Sequence, residues 1–250
     1  MTACQTVSPK DRTMRLTTFA AFLALLVVSA TAFSQETLTQ PKKSVKPGIN
    51  KTFLDPELDV EEWINRFEVE SREVFHAREE VVQHLELAPG TRIADIGTGT
   101  GLFVELFSKE VGETGWVYAL DIAPKFVERV EKVADLRGIE NVTPVLCGQD
   151  NIRLAPGSID VAFICDVYHH FEYPGESLAS IHKAIAPGGR LVVIDFERIP
   201  GESREFILNH VRAGKSVFRA EIEQAGFQFV KEVKVAGFKE NYFLCFERKK

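Results

Sequence analysis

Apolar positions change their period several times along the chain. From Asp59 to Leu87, Trp63, Ile64, Phe67, Val74, Phe75, Val81, Val82 and Leu85 recur at steps of three and four, and Pro89-Gly90 ends the pattern. That is the period of a helix with one buried face. Beyond it, short β-branched and aromatic runs alternate with helical stretches. The pattern predicts strands at Arg92–Ile96, Trp116–Asp121, Val142–Cys147, Val161–Asp166 and Arg190–Phe196. Helices are expected near Gly101–Val111, Pro124–Arg137, Gly175–Ala186 and Ser203–Ala225, the last broken near Gly214. Such alternation specifies an α/β fold, a parallel sheet with helices on both faces. The end of the chain departs from it. Phe227–Val235 and Tyr242–Glu247 are joined by AGFKEN with no helix between, so they should pair as an antiparallel hairpin.

The N-terminus has a different pattern. Lys10, Arg12 and Arg15 precede LTTFAAFLALLVVSATAF, Leu16 to Phe33, and the run closes on Ala30-Thr31-Ala32. A basic start, a short apolar stretch and small residues at the end are the marks of a secretory signal peptide. The alternative is an uncleaved anchor, although the run is marginal for a membrane span. Both readings put the rest of the chain outside the cytoplasm, and a membrane contact through this segment stays open. If the leader is unused, the chain is cytoplasmic. Ser34 to Asn50 is polar, with Pro41, Pro47 and Gly48, and reads as a flexible linker. The expected organisation is therefore a leader over 1–33, a linker over 34–56, and one domain with an N-terminal lid helix over 57–250.

The formal net charge of -6 falls on a chain whose leader is basic, which leaves the domain more acidic still. Nucleic acid is thereby disfavoured as a partner. The four cysteines, Cys4, Cys147, Cys165 and Cys245, form no CxxC pair and no Cys/His metal spacing. The last three sit in apolar runs and read as small buried hydrophobes.

Candidate chemistry lies in IADIGTGTGLF, Ile93 to Phe103. Gly97, Gly99 and Gly101 follow the first strand and open the next helix. In open α/β sheets that place is the carboxyl edge, where ligands bind. Glycines there allow a tight turn and close approach of backbone N–H groups to a ligand. The dinucleotide pattern G-x-G-x-x-G fails, because its third glycine position is Leu102. Asp121 ends the second strand in VYALD, where a carboxylate can accept from two ribose hydroxyls.

With these residues the chain resembles the class I S-adenosylmethionine-dependent methyltransferases. The resemblance covers about Leu87 to the C-terminus. It is carried by ADIGTGTG, VYALD, LAPGSIDVAFICDVYHHFEYP and IHKAIAPGGRLVVIDF, the last similar to the family's L-K-P-G-G-x-L-x-x-x-D segment. It implies a Rossmann-like seven-stranded sheet, mostly parallel, with a C-terminal antiparallel hairpin. It further implies that Gly97, Thr98, Gly99 and Gly101 line the methionine moiety of S-adenosyl-L-methionine and that Asp95 helps to hold its amino end. Asp121 would take the ribose, Ile122 would pack on the adenine, and Asp166 would stand beside the sulfonium. The family often has an acidic residue after strand three, facing the adenine amino group. Here CGQDN departs from that pattern, so Gln149 and Asp150 are both candidates.

Methyl transfer asks for positioning and a dry pocket, and for a base only where the acceptor must lose a proton. His169 and His170 in DVYHHFEYP are the candidate catalytic residues, one expected to face the acceptor and the other to point inward. Asp195, Glu172 and His210 are the reserve. Two adjacent histidines make no metal site without further ligands, so none is expected. In LNHVRAGK, His210, Arg212 and Lys215 stand at helical spacing and read as a solvated face or as a grip on an anionic acceptor. In Arg66 to Glu79, charges alternate with apolar positions, as on a lid helix with salt links on its outer face. The expected function is methyl transfer from S-adenosyl-L-methionine to a small-molecule acceptor. The alternative is a non-catalytic sensor or interaction module that binds the same cofactor.

Overall fold

Seven strands form one sheet in the computed structural model, which describes residues 43–69 and 72–249. The leader, its expected cleavage region near Ala32, the first part of the linker and Cys4 lie outside the described residues. Among the described residues no helix is long and apolar enough to cross a membrane. The strands are β1 Arg92–Ile96, β2 Trp116–Asp121, β3 Val142–Leu146, β4 Ile159–Cys165, β5 Ile185–Phe196, β6 Phe227–Val233 and β7 Asn241–Arg248. Their order is β3-β2-β1-β4-β5-β7-β6. Pairings are parallel from β3 through β5, and β7 runs antiparallel to both β5 and β6. The chain winds outward from β1 to β3 and then returns to lay β4 on the free side of β1. Strand order therefore reverses between β1 and β4, which opens a crevice at their carboxyl ends.

Side chains alternate across the sheet with period two. Ala94, Ile96, Ala162, Ile164, Leu191 and Val193 face one core, completed by Leu178 and Ile181 of α6 (Pro174–Ala184) and by Phe218 and Ile222 of α8 (Lys215–Gln224). Ile93, Val161, Phe163, Val192 and Ile194 face the other. There they meet Val81 and Val82 of α3 (Arg78–His84) and Phe107 and Val111 of α4 (Val104–Val111). Strands with apolar residues on both faces are what a doubly covered parallel sheet requires. Helix α5 (Pro124–Arg137) starts on Pro124 and stops at left-handed Gly138, as the sequence predicts. α7 (Glu205–His210) and α8 are separated at Gly214, the expected break.

The long helix expected over 59–87 is three short ones: α1 (Val60–Phe67), α2 (Glu73–His76) and α3. The apolar residues on either side of the break serve different cores. Trp63 packs with Leu58, Ala123 and Phe126, whereas Val74, Val81, Val82 and Leu85 join the core under α4. One straight helix cannot reach both places, so periodicity overstates the element.

The expected linker is also docked where it is described. Val45 donates its N–H to the Glu172 carbonyl at 3.0 Å, and Asn50 is buried. Phe53 lies 4.7 Å from Trp63, 6.2 Å from Phe126 and 5.2 Å from His170, ring centre to ring centre. A polar composition spaced by turns concealed a few anchoring side chains.

Candidate active site

A cavity of about 760 Å³ occupies the crevice at the β1–β4 switch. That lies within the range of small-molecule sites, roughly 300–1,000 Å³. Asp95, Gly97, Thr98, Gly99, Asp121, Ile122, Gln149, Asp166, His169 and His170 all line it. Gly101 and Asp150, also expected at the site, are not among its lining residues. A segment of the chain, including Phe53, Trp63, Phe67 and Arg72, forms the other wall.

The glycine loop makes room. Gly97 has φ +75, and a Cβ there would lie 2.5 Å from Val167 Cγ1, which no real contact tolerates. Gly99 has φ +53, and its Cβ would reach within 3.6 Å of the Phe67 ring. Any side chain at these two positions would be strained and would also narrow the cavity. The loop's N–H groups are less available than the sequence suggests. Gly97 and Thr98 donate to the Leu120 carbonyl at 2.8 and 2.9 Å, Gly101 to the Thr98 carbonyl, and Gly99 to Asp121 Oδ2 at 2.9 Å. A phosphate cradle needs such donors free. This loop has spent four of them, which suits a cofactor without phosphates.

Asp121 Oδ1 also accepts from the Ala123 N–H, at 2.9 Å. Each carboxylate oxygen thus holds one backbone donor and keeps capacity for one more, a fit to a vicinal diol. Burial pushes its carboxyl up to about 6, against the pull of the Ala123 and Gly99 amides. Asp95 accepts from Thr98 Oγ1 at 2.8 Å. Burial, aided by the neighbouring Asp121 charge, raises it to about 7. Gln149 Oε1 accepts from Asn50 Nδ2 at 3.1 Å, so the segment before α1 helps to hold the residue that stands where the family often has an acid. Cys147 borders the same end, with burial pushing its thiol up to about 12, and it is chemically inert there.

Asp166 follows β4 with φ +54, in the left-handed region that Asp tolerates better than most residues. The turn aims its carboxylate at two partners. Arg72 forms an ion pair with Oδ2, and Asn241 Nδ2 donates to Oδ1 at 2.6 Å. Burial raises the Asp166 carboxyl, and the Arg72 charge opposes this. Sequence reasoning missed Arg72, which was read with its neighbours as part of an outer face. Glu73 and Glu80 likewise accept backbone donors from a distant part of the chain. Glu73 accepts from the N–H groups of Lys239, Glu240 and Asn241 at 2.8, 2.9 and 2.6 Å, and Glu80 accepts from Ala236 at 2.8 Å. They tie the lid helices to the β6–β7 connection.

Three histidines also line the cavity. His169 and His170 lie on the 3₁₀ turn Tyr168–His170 after β4. His169 is buried, its Nδ1 2.8 Å from Asp195 Oδ1, and its N–H donates to Asp195 Oδ2 at 3.0 Å. His170 Nε2 lies 3.1 Å from His210 Nε2. Burial above all pushes His170 down to about 2 and His210 to about 4, so both rings are neutral at physiological pH. Both histidines of the adjacent pair border the cavity, rather than one facing it and one turning away.

The helical spacing of His210, Arg212 and Lys215 does not survive folding, because α7 ends at His210. Arg212 closes on Glu221 with contacts of 2.8 and 2.6 Å, and Lys215 pairs with Glu197 and with Glu232. Neither cation is left to grip an anionic acceptor, and Arg212 is not solvated. Tyr168 is buried and donates to Glu221, so it belongs to the core. Of the reserve bases only His210 lines the cavity; Asp195 and Glu172 are buried behind it.

A family model described as a methyltransferase domain matches residues 87–234. Among curated proteins, the chain is 39% identical over 64 residues to a protein-L-isoaspartate O-methyltransferase of Fervidobacterium nodosum, covering 26% of this chain and 32% of that one. It is 30% identical over 110 residues to the ubiquinone/menaquinone biosynthesis C-methyltransferase UbiE of Haemophilus ducreyi, covering 44% and 42%. The matched span is thus less than half of either relative. A SAM-dependent methyltransferase structure from Aquifex aeolicus superposes with a TM-score of 0.67 at 25% identity, over 76% of this chain and 98% of that one.

Proposed function

The chain belongs to the S-adenosylmethionine-dependent methyltransferases, and from that premise we propose that it methylates a small, largely apolar molecule bound at the histidine end of its cavity. The observation that carries this reading is the continuity of one cavity. The glycine loop and Asp121, the rings of Phe53, Trp63 and Phe67, and three histidines all line that one cavity. The cofactor supplies a methyl group on a sulfonium, already activated toward in-line displacement.

The chain's own residues supply position and exclusion of water. Asp121 and the Gly97–Gly99 turn fit the ribose and methionine parts, and Asp95 with Thr98 forms the polar floor beneath the amino end. Gln149, steadied by Asn50, is assigned in this reading to the adenine amino group. Phe53, Trp63 and Phe67 close the cavity from the lid side and remove water from the reacting centre. His169, oriented by Asp195, presents its Nε2 lone pair to an acceptor that carries a proton, while the neutral rings of His170 and His210 meet each other through Nε2. The methyltransferase relatives do not favour the non-catalytic alternative. Export remains part of the proposal on the strength of the basic, apolar and small-residue leader.

The test is a calorimetric titration with S-adenosylmethionine and with NAD, followed by a screen of small acceptors for formation of the demethylated cofactor. Binding of the first cofactor alone, with turnover of at least one apolar acceptor, is expected. Turnover confined to peptide or nucleic-acid acceptors would overturn the small-molecule reading.

A further inference from the structure

The three histidines of the cavity form a closer set than a single proton acceptor requires. One nitrogen from each of His169, His170 and His210 lies within 4.8 Å of the others. His170 Nε2 and His210 Nε2 face each other at 3.1 Å. Two nitrogens on a tetrahedral zinc ion, each about 2.0–2.1 Å from it, are separated by about 3.3 Å. The facing pair is therefore already near the spacing of two ligands that share an ion, and His169 needs only a small closure.

The surroundings have the same form. Asp195 accepts from the main-chain N–H of His169 and holds its ring at Nδ1, both partners being fully buried. That leaves Nε2 of His169 as a lone pair. A carboxylate behind an imidazole, fixing its tautomer and orientation, is the usual outer shell of a metal-bound histidine. His170 gives an independent sign. Its Nδ1 is buried and has no hydrogen-bond partner, while its Nε2 meets another ring nitrogen. Without an ion the two neutral rings share one proton as an N–H···N bond; a cation between them would use both lone pairs.

We propose that His169, His170 and His210 bind a divalent transition-metal ion of the zinc type, with its fourth position open to the cavity for an acceptor that coordinates through sulfur or oxygen. Three histidines with one open position is a catalytic rather than a structural arrangement. The Lys46 ammonium, 2.6 Å from the His210 carbonyl, adds positive charge beside the site and favours an anionic fourth ligand. An acceptor X–H would lose its proton to solvent on coordination. The lone pair of X then forms the bond to the methyl carbon as the carbon–sulfonium bond breaks, and the sulfur leaves as a neutral thioether. The role given to the fourth position rests on the methyl-transfer reading; the metal site does not.

The experiment begins with the purified full chain stripped by a chelator. Zinc is titrated in competition with a chromophoric chelator, and cobalt(II) is followed by its visible absorption. One ion per chain and an intense tetrahedral-type cobalt spectrum are expected. His210→Ala and His170→Gln should each weaken zinc by at least about 100-fold, and Asp195→Asn by about 10–100-fold. Melting and S-adenosylmethionine titration of the same variants show that they are folded. Absence of one-equivalent binding, or binding unchanged in a folded His170→Gln/His210→Ala double variant, would overturn the site. Turnover that is equal with and without metal would overturn the role of the fourth position while leaving methyl transfer intact. Metal binding without turnover of any small acceptor would instead count against the proposed function.

Discussion

Asp195 holds His169 by two bonds at once, one to the ring and one to the main chain, and both residues are shut away from solvent. The pair fixes the turn that carries both candidate histidines. Removal of the carboxylate by Asp195→Ala should cost about 3–5 kcal/mol, because a polar ring and an N–H are left buried without partners. Asp195→Asn keeps an acceptor and should cost less. Denaturant unfolding of the two variants beside the parent chain checks the order.

Asp121 is expected to govern cofactor affinity. Asp121→Ala removes the acceptor proposed for the ribose and also frees the Gly99 and Ala123 amides that shape the loop. A loss of about 1.5–3 kcal/mol, or about 10- to 150-fold in Kd for S-adenosylmethionine, is the scale of a charge-assisted hydrogen bond. Calorimetry that returned the parental Kd would remove the assignment.

The same carboxyl predicts a pH dependence. Burial raises Asp121 from an ordinary 3.8 to about 6, with Asp95 beside it raised to about 7. Between these values the folded chain keeps a proton that the unfolded chain has released. Stability from Asp121 is therefore present at low pH and lost as pH rises through about 4 to 6. Burial of His170 and His210 acts in the opposite direction below about 6.5, so the parent chain alone does not isolate the effect. The difference between the parent and Asp121→Asn cancels them and reports Asp121 together with the part of the Asp95 shift that the Asp121 charge causes. It should fall by roughly 3 kcal/mol from about pH 4 to about pH 7. Unfolding free energies measured across that range give the slope.

Arg72 latches the lid to the sheet. Its guanidinium meets Asp166, which Asn241 holds from the other side. Arg72→Leu should destabilise by about 2 kcal/mol, less than a fully buried pair because Arg72 is partly exposed. It should also speed proteolytic cleavage near residues 68–72 more than elsewhere, which limited digestion with mass mapping would show.

The leader is expected to be removed on export. Mass spectrometry of protein from the native host should find a mature N-terminus between Phe33 and Glu36. A chain still carrying its leader in a soluble cytoplasmic fraction would refute export.

The sheet was legible in the sequence because its strands are short runs rich in β-branched or aromatic residues, set apart by helical stretches and turn signals. The hairpin was legible from the absence of a crossover helix. That Asp95, Gly97, Gly99 and Asp121 share one cavity was legible too, since they sit at strand ends whose place the fold dictates. The rest depended on contacts between distant residues. Nothing local shows that His210 meets His170, that Arg72 turns inward to Asp166, or that Asn50 reaches Gln149. Phe53 was missed for another reason: one ring among turns has no period to be counted.

That ring has a consequence for how the molecule works in time. Phe53 touches Trp63 on α1, Phe126 on α5 and His170 at the acceptor end, so one residue couples three elements around the cavity. The segment from Lys43 to Phe67 is therefore expected to open as one unit when ligands exchange. Ligands that fill the cavity hold it down. Amide hydrogen exchange across that segment should accordingly slow together, by one common factor, when the cofactor binds, and the rate of its opening sets an upper bound on turnover.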